Sequence, residues 1–239
     1  MRLRMTLLGL WGLISMLAAC GPDHKEPAKP KAAEKSVSTD AHRMAATHPV
    51  INSPDDALRE LKAGNQRFRN NEFVNNDYAM EIEETKAGQK PHSLILSCMD
   101  SRVPPEIIFD QGIGHIFVTR VAGNIDDDDI SGSMEYAVEH AGAKLIVVMG
   151  HTQCGAVKGA IANAKLGNLT QLIAKIRPAI PADSHDPNIV FETVKNNVKL
   201  TIADILHRSD VIREFVEAKK VAIVGAYYDI ETGTVTFME

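Results

Sequence analysis

The sequence predicts an α/β fold: a parallel-sheet core covered by helices, with an antiparallel strand at the C-terminal end. Five short apolar runs have the length of strands: 93–97, 116–119, 144–150, 221–228 and 235–237. Helical segments alternate with these runs, and continuous apolar strands separated by helices are typical of a parallel sheet covered on both faces. Turn residues at 229–233 join the last two runs, which favours an antiparallel hairpin.

The first helix is predicted to begin at Ser53 and to stop at Gly64. Ser53 is a suitable N-cap, Pro54 suits the first turn, and Asp55 and Asp56 complement the helix dipole. The other predicted helical segments are 134–140, 156–166, 169–180 and 189–206. In the last of these, apolar residues recur about every 3.6 positions and are predicted to face the core: Val190, Val194, Val198, Ile202 and Ile205.

Residues 1–20 have the pattern of a bacterial export signal. Arg2 and Arg4 precede an apolar stretch at 7–17, which is shorter than a membrane span requires. Small residues then precede Cys20. The sequence Leu17-Ala18-Ala19-Cys20 resembles the bacterial lipoprotein box, in which the chain is cut before the cysteine and the cysteine carries lipid.

The residue after Cys20 bears on the destination of the chain. Gly21, in place of an aspartate, resembles the lipoproteins that are sent to an outer membrane. We therefore expect a periplasmic protein that is lipid-anchored through Cys20 to a bacterial membrane, the outer membrane in preference to the inner. The alternative is an ordinary secretory signal, which would leave a soluble periplasmic or secreted protein.

Residues 21–50 are predicted to form a disordered tether, and residues 51–239 a single folded domain. The tether is rich in Pro, Lys, Ala and Ser and nearly lacks large apolar side chains, so it cannot bury enough surface to offset the entropy of ordering. Charged residues make up 24% of the 239-residue chain and the formal net charge is -5. A chain with a net negative charge lacks the overall positive potential that would attract nucleic acid, so no nucleic-acid partner is expected. Membrane contact is expected only through the lipid anchor.

Cys98 and the sequence His151-Thr152-Gln153-Cys154 supply the candidate metal ligands. Two thiolates and one imidazole match a zinc site that leaves its fourth position open, which is the catalytic kind of site. Cys98, Arg120 and His151 each follow an apolar strand, and in a parallel sheet the carboxyl ends of the strands meet at one edge. Two alternatives remain open, a disulfide between Cys98 and Cys154 or two inert core cysteines.

Four motifs in the folded segment carry a resemblance to a known family. They are Cys98-x-Asp100-Ser101-Arg102, Arg120-x-Ala122-Gly123-Asn124, Gly150-His151-Thr152-x-Cys154-Gly155-Ala156-Val157 and Gly225-Ala226-Tyr227-Tyr228-Asp229-Ile230-x-Thr232-Gly233. With these motifs, the chain from about Ser53 to Met238 resembles a β-class carbonic anhydrase.

The resemblance implies an enzyme that reversibly hydrates CO2 to bicarbonate and a proton, with Zn2+ held by Cys98, His151 and Cys154. It implies that hydroxide formed at the metal attacks CO2. Asp100 would accept the hydroxide proton, and Arg102 would keep Asp100 ionised. In some members the equivalent aspartate instead binds zinc and closes the site. The resemblance also implies an obligate homodimer, often paired into tetramers, with substrate pockets at the subunit interface.

Several other residues have weaker functional interpretations. Arg120 is expected either to contact an anion near the pocket or to help fix the Gly123-Asn124 loop. Gln111 is expected either to donate a hydrogen bond to substrate, as a nearby glutamine does in plant-like members of the family, or to be an exposed loop residue. His92, His115 and His140 are candidate proton carriers, with surface or capping histidines as the alternative.

Two other classes of function fit the same residues. A zinc-dependent sensing or binding module would keep the metal without turnover, although such a module has little use for Asp100 and Arg102. A related lyase would direct the same hydroxide at carbonyl sulfide or carbon disulfide.

In one subgroup of the family a tryptophan three residues before the first zinc cysteine helps to bind regulatory bicarbonate. Ile95 occupies that position here.

Overall fold

Residues 49–183 and 185–238 are described by the structure, which is a computed structural model of the chain. The predicted export signal 1–20, the predicted lipidation site Cys20 and nearly all of the predicted tether 21–50 therefore lie outside the described residues. Within the described ranges, no helix combines the length and the apolar character that crossing a membrane would require.

One five-stranded sheet forms the centre of the described domain. Its strands are β1 (Ser93–Ser97), β2 (Ile116–Arg120), β3 (Leu145–His151), β4 (Ala222–Tyr228) and β5 (Val235–Phe237). They lie in the order β2-β1-β3-β4-β5, with β1 to β4 parallel and β5 antiparallel to β4. The predicted fold class, a parallel-sheet core with an antiparallel C-terminal strand, is confirmed.

Helices pack around this sheet. In the described part of the chain they are α1 (Pro54–Asn70), α2 (Tyr78–Thr85), α3 (Pro105–Ile108), α4 (Asp128–Glu139), α5 (Gly155–Ile161), α6 (Leu169–Ala174), α7 (Ile189–Arg208) and α8 (Asp210–Glu217). Two short 3-10 turns, Ala122–Asn124 and Arg177–Ala179, follow β2 and α6. Helices α2, α3 and α8 were not predicted. Helices α2 and α3 are short, with eight and four residues, and give little periodicity to detect. Helix α8 does carry a helical apolar pattern, Val211, Ile212, Phe215 and Val216, after the N-cap Ser209, and this signal was overlooked.

The sheet is buried on both faces, because successive side chains of a strand point to opposite sides. On one face, Leu96 of β1 and Val148 of β3 pack in a cluster with residues of α4, α7 and α8. On the other face, Ile95 and Val147 pack with residues of α1 and α3. This double burial explains why the strands are continuous apolar runs rather than alternating ones.

Helix α1 begins where predicted but continues past its predicted end. The hydroxyl of Ser53 accepts the backbone N–H of Asp56, and the Asp56 carboxylate accepts the Ser53 N–H at 2.9 Å, which completes a capping box. The predicted stop at Gly64 is wrong. A Cβ at Gly64 would lie 1.8 Å from the carbonyl oxygen of Phe109, so this glycine allows close packing inside the helix. The helix ends at Asn71, whose φ of 58° is left-handed.

Three other helix predictions differ from the structure for local reasons. Helix α4 starts before residue 134 because the Asp127 carboxylate caps it, accepting the N–H of Ile130 at 3.1 Å. The segment predicted at 156–166 ends early, and Asn163 just beyond α5 has a left-handed φ of 51°. The segment predicted at 169–180 divides before Pro178, whose ring nitrogen cannot donate to a helical hydrogen bond.

The strand order positions the candidate ligands. β2 lies on one side of β1 and β3 lies on the other, so the order of the strands reverses at β1. In parallel α/β sheets, ligands bind in the crevice that such a reversal opens at the carboxyl ends of the strands. Ser97 pairs with Met149, so Cys98 leaves β1 beside the last residues of β3, which ends at His151. The fold therefore brings Cys98 and His151 to one crevice.

Candidate metal centre

Cys98, His151 and Cys154 lie together at this crevice. Their ligand atoms, one from each residue, all lie within 4.8 Å of one another. Cys98 follows β1, His151 ends β3, and Cys154 immediately precedes α5. All three residues are buried, and both cysteines are free thiols. The structure thus assembles the three candidate ligands and holds no Cys98–Cys154 disulfide.

One ring nitrogen of His151 is available to a metal. The other, Nδ1, donates to the carbonyl oxygen of Thr152 at 2.9 Å, which places the proton of the neutral ring on Nδ1. Nε2 is buried and has no hydrogen-bond partner among the described residues. A buried acceptor without a partner is costly, and a metal ion would satisfy it.

The two thiols form an electrostatic pair. Contact with the Cys154 thiol is the main cause that lowers the pKa of Cys98, and the Gly123 N–H acts in the same direction. The same contact and burial raise the pKa of Cys154. Thiolates are the form of cysteine that binds a metal, and the lowered pKa of Cys98 favours that form beside a cation. Two sulfurs and one imidazole are ligands that fit zinc.

The sulfur of Cys98 has support from the loop after β2. The N–H of Gly123 donates to Cys98 Sγ at 3.4 Å, and the carbonyl oxygen of Gly123 accepts the buried side-chain amide of Asn197 at 2.7 Å. Gly123 has a φ of 72°, which favours glycine, and a Cβ there would lie 2.5 Å from Cδ1 of Ile176. Hydrogen bonds to a ligating atom orient it and tune its donor strength.

Asp100 and Arg102 form a bidentate ion pair beside the ligands. Nε and Nη2 of Arg102 donate to Oδ1 and Oδ2 of Asp100 at 2.9 and 2.7 Å, and the Arg102 backbone N–H donates to Oδ1 at 3.0 Å. These bonds hold the pKa of Asp100 well below its ordinary value. Oδ2 also lies 3.9 Å from Nε2 of His151. In the described ranges Asp100 is not a member of the group that could hold a metal.

Arg120 supports the loop that carries Cys98 and Asp100. Its Nε donates to the carbonyl oxygen of Cys98 at 3.1 Å, and its Nη2 donates to the carbonyl oxygen of Asp100. These contacts give Arg120 a structural role, but on the loop after β1 and not on the predicted Gly123-Asn124 loop.

His92 and Gln111 lie at the amino ends of the strands, the opposite end of the sheet from Cys98. His92 immediately precedes β1, and its Nε2 is 2.9 Å from Oε1 of Gln111. Both residues and His115 line a cavity of about 750 Å³ at that end. The alternative of an exposed Gln111 is wrong, because Gln111 is buried. Within one chain, the length of β1, about 16 Å at 3.3 Å per residue, separates His92 from Cys98.

Two residues near the ligands were not predicted to have a role. Thr152 and Asp229 connect the loop after His151 to the turn between β4 and β5 through a hydrogen bond of 3.3 Å. The pKa of Asp229 is lowered, first by the Glu231 N–H and then by the Thr232 hydroxyl. Both residues occur in the sequence motifs quoted above, but their contact with each other could not be read from those motifs.

Sequence comparisons identify proteins similar to this chain. A family model described as "Carbonic anhydrase" matches residues 93–235, more than half of the chain. "Carbonic anhydrase 2" of Mycobacterium tuberculosis (strain CDC 1551 / Oshkosh) is 37% identical over 197 residues, covering 80% of this chain and 93% of that protein. The carbonic anhydrase of Mycolicibacterium smegmatis is 34% identical over 190 residues, with coverage of 77% and 92%.

Solved structures of β-carbonic anhydrases are also similar to this chain. The β-carbonic anhydrase CcaA matches with a TM-score of 0.62 at 28% identity, covering 77% of this chain and 95% of that chain. A structure from a study of two tetrameric β-carbonic anhydrases of Sordaria macrospora matches with a TM-score of 0.60 at 26% identity, with coverage of 76% and 93%.

Proposed function

The chain belongs to the β-class carbonic anhydrase family, and we propose that Cys98, His151 and Cys154 hold its zinc while Asp100 and Arg102 work beside the metal. The family reaction is the reversible hydration of CO2 to bicarbonate and a proton. One geometric observation carries the assignment of residues. Three buried ligand atoms lie within 4.8 Å of one another, and the Asp100 carboxylate lies 3.9 Å from the available nitrogen of His151.

The chain would supply three protein ligands to a zinc ion. Three protein ligands leave one position for a small molecule, as catalytic zinc sites do. When bound, zinc supplies Lewis acidity that lowers the pKa of a coordinated water to about 7 in favourable sites. Cys98, His151 and Cys154 would hold the ion inside the protein, where burial strengthens its electrostatic effect.

Asp100 is proposed to orient the water that attacks CO2. Arg102 fixes its carboxylate with two guanidinium N–H groups and one backbone N–H, and the remaining lone pairs can accept a hydrogen bond from that water. Holding the water proton at the carboxylate directs an oxygen lone pair toward the carbon of CO2. Arg102 would act through Asp100, by keeping the carboxylate in one orientation.

The direct test is CO2 hydration by stopped flow on the purified full chain, with Cys154→Ser as the matched variant that lacks one ligand. We expect one zinc per wild-type chain and rapid hydration, and we expect the variant to lose both. Wild-type activity no greater than that of the variant would reject the proposal.

Carbonyl sulfide and carbon disulfide are assayed on the same preparations, since faster turnover of either would favour a related lyase. One zinc per chain without turnover of any substrate would favour a sensing module.

A thiol count separates a metal site from a disulfide. If zinc holds Cys98 and Cys154, two additional thiols become reactive when a chelator removes the metal. If the two cysteines form a disulfide, the additional thiols appear only after a reductant is added. Appearance of the thiols with reductant alone would contradict the metal assignment.

We propose that the chain forms a homodimer or a tetramer. The assembly of the similar Sordaria macrospora proteins supports this proposal, as do exposed apolar side chains that an interface would cover: Tyr78, Met80, Ile82 and Ile113. Sedimentation analysis of the purified chain tests it, and a monomer at micromolar concentration would contradict it.

We also propose that the chain is exported to the periplasm and anchored by lipid at Cys20, to the outer membrane in preference to the inner. The support is the sequence pattern of residues 1–20 and the lipoprotein-type box at Cys20. In a bacterium that processes lipoproteins, the wild type should fractionate with membranes and Cys20→Ser should not. Recovery of the wild type in the soluble fraction would contradict the anchor.

A further inference from the structure

Thr152 connects the metal-site histidine to the end of the chain. Its carbonyl oxygen accepts the hydrogen bond from Nδ1 of His151 at 2.9 Å. Its own N–H donates to the carbonyl oxygen of Tyr228, the last residue of β4, at 2.9 Å. The group that fixes the His151 ring therefore belongs to a residue whose backbone is attached to β4.

The hydroxyl of Thr152 is engaged by the turn that joins β4 to β5. Oγ1 donates to Oδ1 of Asp229 at 3.3 Å and accepts the backbone N–H of Ile230 at 3.1 Å. Both the donor and the acceptor capacity of the hydroxyl are therefore used. Valine has the same shape as threonine but can make neither bond.

Asp229 is itself held in place within this turn. Its Oδ1 accepts the backbone N–H of Glu231 at 3.0 Å, and its Oδ2 accepts the hydroxyl of Thr232 at 2.8 Å. The carbonyl oxygen of Asp229 also accepts the N–H of Gly233 at 2.9 Å. The turn thus presents a fixed carboxylate to Thr152.

We propose that Thr152 and Asp229 are positioning residues of the metal centre: the turn holds Thr152, and Thr152 holds the His151 ring with Nε2 free for the metal. This inference rests on the proposed function, because it takes His151 as a zinc ligand. Partners that orient a ligating histidine commonly account for about 10- to 100-fold in metal affinity. Neither Thr152 nor Asp229 belongs to the ligand group, so both act through His151.

The test measures zinc affinity of the full chain by competition with a chelator. We expect Thr152→Val to weaken zinc binding about 10- to 100-fold and Asp229→Asn to weaken it in the same direction. Thr152→Ser keeps the hydroxyl and should bind zinc with near-wild-type affinity. Thr85→Val is the matched control, because it also removes a threonine hydroxyl hydrogen bond, to the carbonyl oxygen of Glu81 at 2.7 Å on α2, and Thr85 lines the cavity beside His92 at the other end of the sheet.

Two further measurements separate positioning from general destabilisation. Replacement of zinc by Co2+ gives absorption bands that report ligand geometry, and these should change in Thr152→Val but not in Thr85→Val. Because Thr152 and Asp229 act through one link, the double variant should bind zinc about as weakly as Thr152→Val alone.

The outcomes distinguish this inference from the proposed function. If wild type binds zinc and Thr152→Val and Asp229→Asn match it in affinity and Co2+ spectrum, the positioning role is overturned while the proposed function stands. Equal weakening by Thr85→Val would also overturn the positioning role. Failure of the wild type to bind zinc would overturn the proposed function, and this inference with it.

Discussion

Oδ2 of Asp100 lies 3.9 Å from Nε2 of His151, and Arg102 binds the same carboxylate with two guanidinium N–H groups. The spacing is too long for a direct hydrogen bond. The carboxylate is therefore free to accept a hydrogen bond from a small molecule bound next to the histidine.

Asp100→Asn tests this relationship. The amide keeps the shape of the carboxylate but replaces one acceptor oxygen with a donor and removes the charge. We expect kcat/KM for CO2 hydration to fall on the order of 100-fold, while zinc content stays at the wild-type level because Asp100 is not one of the three proposed ligands. Stopped-flow assays with metal analysis check both expectations. Asp204→Asn, on the exposed side of α7, is the control, and full activity in Asp100→Asn would remove Asp100 from the mechanism.

Arg102→Lys separates the geometry of the ion pair from its charge. A lysine keeps the positive charge but cannot bind both carboxylate oxygens in the planar, bidentate manner of arginine. We expect kcat/KM to fall roughly tenfold, equivalent to about 1.4 kcal/mol of transition-state stabilisation. The melting temperature should not change, because the Arg102 side chain is 53% exposed and exposed ion pairs contribute little to stability.

The control for this substitution is Arg59→Lys, which alters an ion pair between exposed Arg59 and Asp56 on α1. It should change neither activity nor melting temperature. If Arg102→Lys were as active as wild type, a fixed orientation of Asp100 would not be needed for turnover.

The strands and the candidate ligands could be predicted from sequence because both depend on local patterns. Each continuous apolar run predicts a buried strand, and a polar residue directly after the run predicts a group at the carboxyl edge of the sheet. Cys98 and His151 satisfy that rule, and the parallel order of β1 and β3 places them together. The end of α1 could not be predicted in the same way. Gly64 looks like a helix terminator in sequence, and only the approach of Phe109 shows that it belongs inside the helix.

The residues that support the ligands could not be predicted from sequence. Thr152 meets Asp229 across 77 positions, and Asn197 meets Gly123 across 74 positions. Such contacts depend on how α7 and the hairpin of β4 and β5 pack against the ligand loops. No spacing rule encodes that packing, so these residues appear only once the fold is known.

Asn197→Ala tests the support of Cys98 from α7. The substitution removes the 2.7 Å hydrogen bond to the carbonyl oxygen of Gly123 and leaves that buried group without this donor. We expect the free energy of unfolding to fall by about 1–3 kcal/mol. Zinc release to a chelator should become faster, because the Gly123 N–H that donates to Cys98 Sγ at 3.4 Å is then less well held.

Asn196→Ala is the control for this prediction, one residue earlier on the same helix. It removes a 3.1 Å hydrogen bond to the carbonyl oxygen of Ala179, which has no contact with a ligand sulfur in the described hydrogen bonds. It should lower stability without changing the rate of zinc release. Equal rates of zinc release in Asn197→Ala and wild type would show that Asn197 supports the fold alone.

Gly64→Ala and Gly132→Ala test why α1 contains a glycine in its interior. Both glycines are within helices, where alanine is ordinarily favoured by about 1 kcal/mol. At Gly132 a Cβ would meet no atom within 4 Å, so alanine should raise the free energy of unfolding by up to that amount. At Gly64 a Cβ would lie 1.8 Å from the Phe109 carbonyl oxygen, so α1 or the Phe109 backbone would have to shift. We expect Gly64→Ala to lower the free energy of unfolding by about 3 kcal/mol or more, measured by denaturant titration of the metal-free chain.

Opposite signs for the two substitutions would show that close packing, and not helix propensity, selects glycine at position 64. If Gly64→Ala instead raised the free energy of unfolding, the packing of α1 against Phe109 would be contradicted.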